Sequence, residues 1–423
     1  MSKYQSDLMT TLTERGYLYQ CTDEDGLDKA AKDGVVTGYT GYDLTAPSLH
    51  VGHLVSIMML RHLQKAGGRP IVLLGGGTTK IGDPSMKDKT RPILTDESIQ
   101  KNKDGIRQAF AKFLDFEGEN AAIMVDNADW LDGLGYIEFL RDVGKLFTIN
   151  RMVTMETVKR RLENELPMTF LEFNYPLLQS YDFVELFRRY GCTLQLGGSD
   201  QWGNITTGVD LSRRMENAEC YGFTTPLITT ASGGKMGKTA DGAVWLNADP
   251  DLGKDYVRSP YEYWQFWRNT DDADVGRFLR LFTDLSMDEI AKLEALEGAD
   301  INLAKARLAT EATTLLHGAD AASKAEATAR ETFEKGGAAD GLPTFEIEIG
   351  EFKIARSTIA LLRAAQLVKS NGEARRKIAE GAVRVNDEKI TEDMNHPYTD
   401  IPESMDGFKV QVGKKRIAIV KPI

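Results

Sequence analysis

Two short segments hold side chains suited to work on a phosphate chain. His50-Val51-Gly52-His53 stands at the first turn of a helix expected from the spacing of Val51, Leu54, Val55 and Met58. A helix N-terminus carries free N–H groups and a partial positive charge, so a polyanion is favoured there, and two imidazoles add donors. Gly52 leaves room for a flat ring to lie against the backbone. Two ordinary surface histidines are the bland alternative. The second segment, Lys235-Met236-Gly237-Lys238-Thr239, puts two lysines and a hydroxyl in a glycine-flanked stretch. Such a stretch suits a mobile clamp on triphosphate oxygens, although a basic loop is often only a solvated loop.

These residues need elements to hold them. Val35 to Thr40 is β-branched and aromatic and reads as a strand; Pro47-Ser48 opens the helix; Ile71 to Leu74 is a short apolar run ended by Gly75-Gly76-Gly77. Strand, helix and strand make a βαβ unit, which gathers ligands at the carboxyl edge of a parallel sheet. Residues 96 to 190 are mostly helical by pattern, with a strand at Ala121 to Val125, and Thr193 to Leu196 is a further strand closed by Gly197-Gly198-Ser199-Asp200. Residues 225 to 247 read as a polar loop. Ser259-Pro260-Tyr261-Glu262 and Ser286 with Glu289 are capping boxes that start helices. Gly336 to Gly341 reads as a linker; beyond it two short helices, around 356 to 369 and 371 to 380, precede strands near Val383 to Val385 and on either side of Gly413-Lys414-Lys415. The expected class is α/β: a Rossmann-like parallel-sheet catalytic domain over 1–247, an α-helical domain over 248–334, a linker over 335–351 and a small α+β domain over 352–423.

Composition limits the rest. Hydrophobic residues make 42% and charged residues 27% of the 423, the balance of a soluble globular chain, and no apolar run reaches membrane-spanning length. A cytoplasmic protein is expected. Cys21, Cys192 and Cys220 are odd in number and widely spaced, which suggests reduced structural thiols and no structural metal. The net charge of −11 is uneven: residues 352–423 hold fourteen Lys and Arg against nine Asp and Glu, net +5, and the preceding residues carry −16. A basic module on an acidic body suits a chain in which one region handles nucleic-acid phosphates.

H-x-G-H followed by KMGKT resembles the paired signature of class I aminoacyl-tRNA synthetases, with Gly237 and Thr239 where the K-M-S-K-S form has serines. The blocks Asp43 to His50, Ile81 to Ser85, Gln179 to Asp182 and Gln195 to Asn204 resemble bacterial tyrosyl-tRNA synthetases in particular. That resemblance implies tyrosine activation by ATP with Mg²⁺, transfer to tRNA(Tyr), and a homodimer. It implies that Tyr39 and Asp182 hold the substrate's phenolic hydroxyl, and that Asp83, Tyr175, Gln179 and Gln201 surround its ammonium. A buried carboxylate that would be left unpaired rejects phenylalanine, a discrimination already known for these enzymes. Asp182 with Glu185 is also a capping pattern. Thr40, Gly41, Asp43, His50, Gly52, His53, Gly198, Asp200 and Lys238 are implied at ATP, with Thr40 where the family commonly has cysteine near the ribose. Thr45, His50, His53, Lys235, Lys238 and Thr239, with Lys87 and Arg91 from the opposite side, are implied to stabilise the displacement at phosphorus. The terminal module resembles an S4-like RNA-binding domain, with Arg356, Arg375, Arg376 and Lys377 toward phosphates. A tryptophan enzyme on the same scaffold, another nucleotidyltransferase, and a non-catalytic RNA-binding protein are the competing readings.

Overall fold

The computed structural model describes residues 3–85, 94–231, 233, 236, 238–239, 242–252, 256–334, 342, 344–347, 357–396, 401, 407–413 and 416–423. Two compact units divide the chain: Met1–Arg258 with Asp271–Glu297, and Ser259–Thr270 with Gly298–Ile423.

The first unit is built on strands β1 (Gln20–Cys21), β2 (Thr37–Asp43), β3 (Arg69–Gly75), β4 (Ile123–Asp126), β5 (Leu194–Gly198) and β6 (Tyr221–Thr225). Their order is β1-β6-β5-β2-β3-β4, parallel except for β1, which pairs antiparallel with β6. A continuous apolar run suits the interior of such a sheet: Ile71, Val72, Leu73 and Leu74 are all buried, as in a strand covered on both faces. Strand β2 starts two residues later than its apolar run predicts and continues to Asp43, because its pairing with β3 runs from Thr37↔Arg69 to Asp43↔Gly75. The following helix starts at Val51, not at Pro47-Ser48. His50 is its N-cap: His50 Nδ1 accepts the Gly52 N–H at 3.0 Å and His53 Nδ1 accepts the His50 N–H at 3.2 Å. Strands β1 and β6 were not expected. Two threonines at the end of β6 hide its character, yet all five of its residues are buried.

Beyond β6, the stretch read as a polar loop contains a two-stranded hairpin, β7 (Lys238–Thr239) with β8 (Gly242–Ala243). The helices Val275–Phe282 and Met287–Glu294 also belong to this unit rather than to the later helical region. The reason is a set of contacts distant in sequence: Arg15 donates to the Arg280, Thr283 and Leu285 carbonyls at 2.9, 2.9 and 2.5 Å, Tyr17 donates to the Leu281 carbonyl, and Arg61 pairs with Asp284 at 2.6 Å.

In the second unit, Ser259 caps the helix Pro260–Arg268 with Glu262 at N3, as expected. Its Tyr263 and Trp267 are fully buried, and it packs on the helices Ile301–His317 and Ala319–Glu334. The terminal part has strands β9 (Thr344–Ile347), β10 (Val383–Val385), β11 (Glu388–Ile390), β12 (Phe408–Val412) and β13 (Arg416–Pro422), ordered β11-β10-β12-β13-β9. With the helices Thr358–Ala364 and Asn371–Ala379 they enclose a core of their own around Leu361, Leu362, Phe408 and Val420. Strand β9 falls in the stretch read as a linker. It pairs parallel with β13, and Phe345 and Ile347 pack on that core, so this stretch is partly structural. No helix among the described residues is long and apolar enough to cross a membrane.

Candidate active site

A cleft of about 340 Å³ opens at the carboxyl edge of β2, β3 and β5, where a parallel sheet is expected to bind its ligand. Its walls include Tyr39, Thr40, Gly41, Asp43, Thr45, Gly52, His53, Asp83, Tyr175, Gln179, Asp182, Gly198, Asp200 and Gln201. Residues far apart along the chain thus meet in one place.

Asp182 lies well inside the helix Tyr175–Tyr190, which removes the capping alternative. Its carboxylate is buried and accepts Trp130 Nε1–H at 2.8 Å and Asn127 Nδ2–H at 3.0 Å. Burial raises its pKa to about 7 despite those two donors, and the carboxylates of Asp43 and Asp126 add to the rise. Tyr39, on β2, is 1% exposed, and its hydroxyl has no hydrogen-bond partner among the described residues. Burial and the Asp182 charge hold its pKa well above the usual phenol value, so it remains a donor at neutral pH. The two groups are not bonded to each other. A ligand hydroxyl between them could donate to the carboxylate and accept from the phenol, filling both unused capacities.

A second cluster sits on the same cleft. Asp83 Oδ2 accepts Gln201 Nε2–H at 3.1 Å, Gln201 Oε1 accepts from Gln179 at 3.4 Å and from Asn204 at 3.2 Å, and Gln179 Oε1 accepts from Asn204 at 2.9 Å. These amide and carboxylate oxygens suit a bound ammonium. Tyr175 donates instead to Asp43 Oδ1 at 3.3 Å, and Thr78 donates to the same oxygen at 3.3 Å, which ties a residue expected at ATP to one expected at the amino acid. A Cβ on Gly198 would stand 2.6 Å from Asp200 Oδ1, so glycine lets the turn present this carboxylate as it does.

At the other end of the cleft the two histidines cap their helix with Nδ1, which assigns the proton of each neutral ring to Nε2. Gly52 has a further reason besides the room expected for a flat ring. A Cβ there would lie 2.7 Å from the His50 ring and 3.0 Å from the Met236 carbonyl, so glycine lets the two signature segments approach. Gly52 and His53 line the cleft, whereas His50 faces Trp245. Lys87, Arg91, Lys235 and Arg356 lie outside the described residues; the backbones of Lys238 and Thr239 form β7. Arg375 and Arg376 are exposed on one helix, and Lys377 beside them pairs with Glu380 at 2.8 Å.

Sequence reading missed Asn127, Trp130, Thr78 and Gln195. The first two follow β4 directly, and the end of a parallel strand was the available signal. Gln195 lies inside buried β5 beside Tyr39, with its side-chain oxygen unpartnered among the described residues.

Comparison with known proteins gives the family. The family described as tRNA synthetases class I (W and Y) matches residues 31–334, and the tyrosine–tRNA ligase SYY-like C-terminal domain matches residues 333–420. The tyrosine–tRNA ligases of Nitrobacter winogradskyi and Rhodopseudomonas palustris are each 56% identical over 425 residues, covering all of this chain and all of theirs. The chain belongs to the tyrosine–tRNA ligase family of class I tRNA synthetases. Among solved structures, a C-terminally truncated mitochondrial tyrosyl-tRNA synthetase of Aspergillus nidulans superposes with a TM-score of 0.69 at 31% identity, covering 78% of this chain and 95% of that one. The family's mixed α/β core is therefore the fold of the first unit. The terminal match begins at 333, ahead of β9, in agreement with the placement of that strand in the terminal sheet.

Proposed function

We propose that the cleft binds L-tyrosine with its phenol between Tyr39 and Asp182 and its ammonium against Asp83, Gln179 and Gln201. ATP, taken as its magnesium complex, lies toward Gly41, Gly198, Asp200 and the helix that starts at Val51. The tyrosine carboxylate attacks the α-phosphorus in line and pyrophosphate leaves; a ribose hydroxyl at the 3′ end of tRNA(Tyr) then attacks the acyl carbon of the adenylate, takes the acyl group and releases AMP. No side chain forms a covalent bond. Catalysis comes from positioning and from donors placed where charge develops, with Thr45, His50, His53, Lys235, Lys238 and Thr239 on one side and Lys87 and Arg91 on the other. The terminal module serves as an S4-like RNA-binding domain through Arg356, Arg375, Arg376 and Lys377. The enzyme works as a cytoplasmic homodimer. The large apolar side chains of Tyr136, Ile137, Ile149, Leu162 and Phe170 in the first unit are 57% to 68% exposed, which supports burial of such side chains by a partner.

The observation that carries the amino-acid assignment is the buried Asp182 carboxylate beside the Tyr39 hydroxyl, which is unpartnered among the described residues. An indole N–H could use the carboxylate but would leave the phenol unanswered. Pyrophosphate exchange should proceed with tyrosine and fail with phenylalanine and tryptophan. Asp182→Asn should lower tyrosine use about ten- to a hundredfold, the value of one charged hydrogen bond, with little change for phenylalanine. A preserved ratio between the two substrates would take Asp182 out of this role.

A further inference from the structure

We infer that Trp245 is a positioning residue for His50, and that it joins the KMGKT hairpin to the phosphate end of the cleft. This rests on the reading of His50 as a donor to ATP during activation.

Among the described residues, three ring contacts meet at His50. Its Nδ1 holds the Gly52 N–H at 3.0 Å, its ring lies 4.1 Å from that of His53, and Trp245 stands edge-on to it at 5.9 Å and 63°. Tyr256 backs Trp245 edge-on at 5.2 Å and 61°. The backbone repeats the contact. His50 and Trp245 form an antiparallel bridge, flanked by Val51 N–H to the Val244 carbonyl at 2.9 Å and Leu246 N–H to the Leu49 carbonyl at 2.8 Å. Val244 follows β8 directly, so the strand leaving the hairpin is bonded to the residues on both sides of His50. A hydrogen bond to Nδ1 fixes the tautomer but by itself sets no limit on the tilt of an imidazole. The Trp245 ring limits that tilt, and Tyr256 holds Trp245 in place. A shift of the hairpin therefore moves the wall against which His50 rests. Tyrosine recognition, at Tyr39 and Asp182, uses none of these contacts.

The test is a double-mutant cycle in the full-length chain, with single-turnover adenylate formation and tyrosine affinity measured separately. Trp245→Leu should slow adenylate formation about three- to tenfold, the range of one aromatic pair, and leave tyrosine affinity unchanged. Trp245→Phe, which keeps an edge-on ring, should restore most of the rate. His50→Asn keeps a helix cap and should be slow by itself; adding Trp245→Leu to it should cost nothing more. Losses that multiply in the double variant would show that Trp245 acts independently of His50 and would overturn the inference, as would an unimpaired Trp245→Leu. A His50→Asn variant of normal rate would remove the reading beneath it, and that result is visible in the single variant. If Trp245→Leu does not fold, Tyr256→Leu replaces it, with a smaller loss that must likewise vanish in the His50→Asn background.

Discussion

Asp182 carries one donor on each carboxylate oxygen, so its remaining lone pairs face the cleft with a pKa pushed up to about 7 by burial. A phenol that donates to it favours the ionised form. Tyrosine affinity should therefore weaken as pH falls through about 7, approaching tenfold per unit, while phenylalanine affinity stays flat. Fluorescence titration of both amino acids across that range checks this, and equal pH slopes would count against it. Stability has the opposite sense. A carboxyl whose folded pKa is raised holds its proton more tightly when folded, so its contribution is present at low pH and lost as pH rises through about 7. Melting temperatures should accordingly show Asp182→Asn gaining on the wild type between about pH 4 and about pH 7, with no further gain above that. Asp182 was legible as a candidate from the resemblance of the Gln179 to Asp182 block to tyrosyl-tRNA synthetases, but its state was not. That depends on Trp130 and Asn127, which stand more than fifty positions earlier, and no local pattern joins them to it.

Helix ends and strand ends do most of the positioning. The helix Asp96–Phe110 braces the segment before His50: Asn102 donates to the Leu44 carbonyl at 2.8 Å, and Gly105 packs so close that a Cβ would fall 1.9 Å from the Pro47 carbonyl oxygen. Glycine inside a helix ordinarily costs about 1 kcal/mol relative to alanine, and here the close approach requires it. Gly52 can be tested by the same reasoning. Gly52→Ala should improve helix propensity yet displace the His50 ring or the Met236 carbonyl, each within 3.0 Å of the new methyl. Adenylate formation should fall on the order of a hundredfold, as expected for a misplacement near ~1 Å, with tyrosine affinity and melting temperature nearly unchanged. A parallel loss of stability would mean that the helix, not the site, absorbs the clash. The capping boxes at Ser259 and Ser286 were readable because both partners lie within four residues. The helix start at His50 was misread because a histidine cap lacks the usual Ser, Thr, Asp or Asn signal.

Two compact units and a separate terminal core set how the whole chain can be divided. A cut near Glu351 would leave β9 without its partner β13, so the place to end the chain is after Glu334. That shortened protein should keep tyrosine-dependent pyrophosphate exchange, because every residue lining the cleft precedes it. Charging of tRNA should drop sharply, and tRNA affinity should depend less steeply on salt than in the full chain, since fewer phosphates are neutralised. Undiminished charging would refute the RNA-binding role of the module. By itself the sequence determined the α/β class, most strands of the parallel sheet and the basic terminal module, because periodicity, caps and charge act over a few neighbouring positions; most of the residues named for the cleft came from the resemblance of short blocks to a known family. Only the tertiary structure decided that β6 lies within the sheet, that 271–297 belongs with the first unit, that β9 completes the terminal sheet, and that Asn127 and Trp130 hold Asp182. Those outcomes come from hydrogen bonds and burial between segments far apart in the chain, where the partner, and not the local composition, sets the energy.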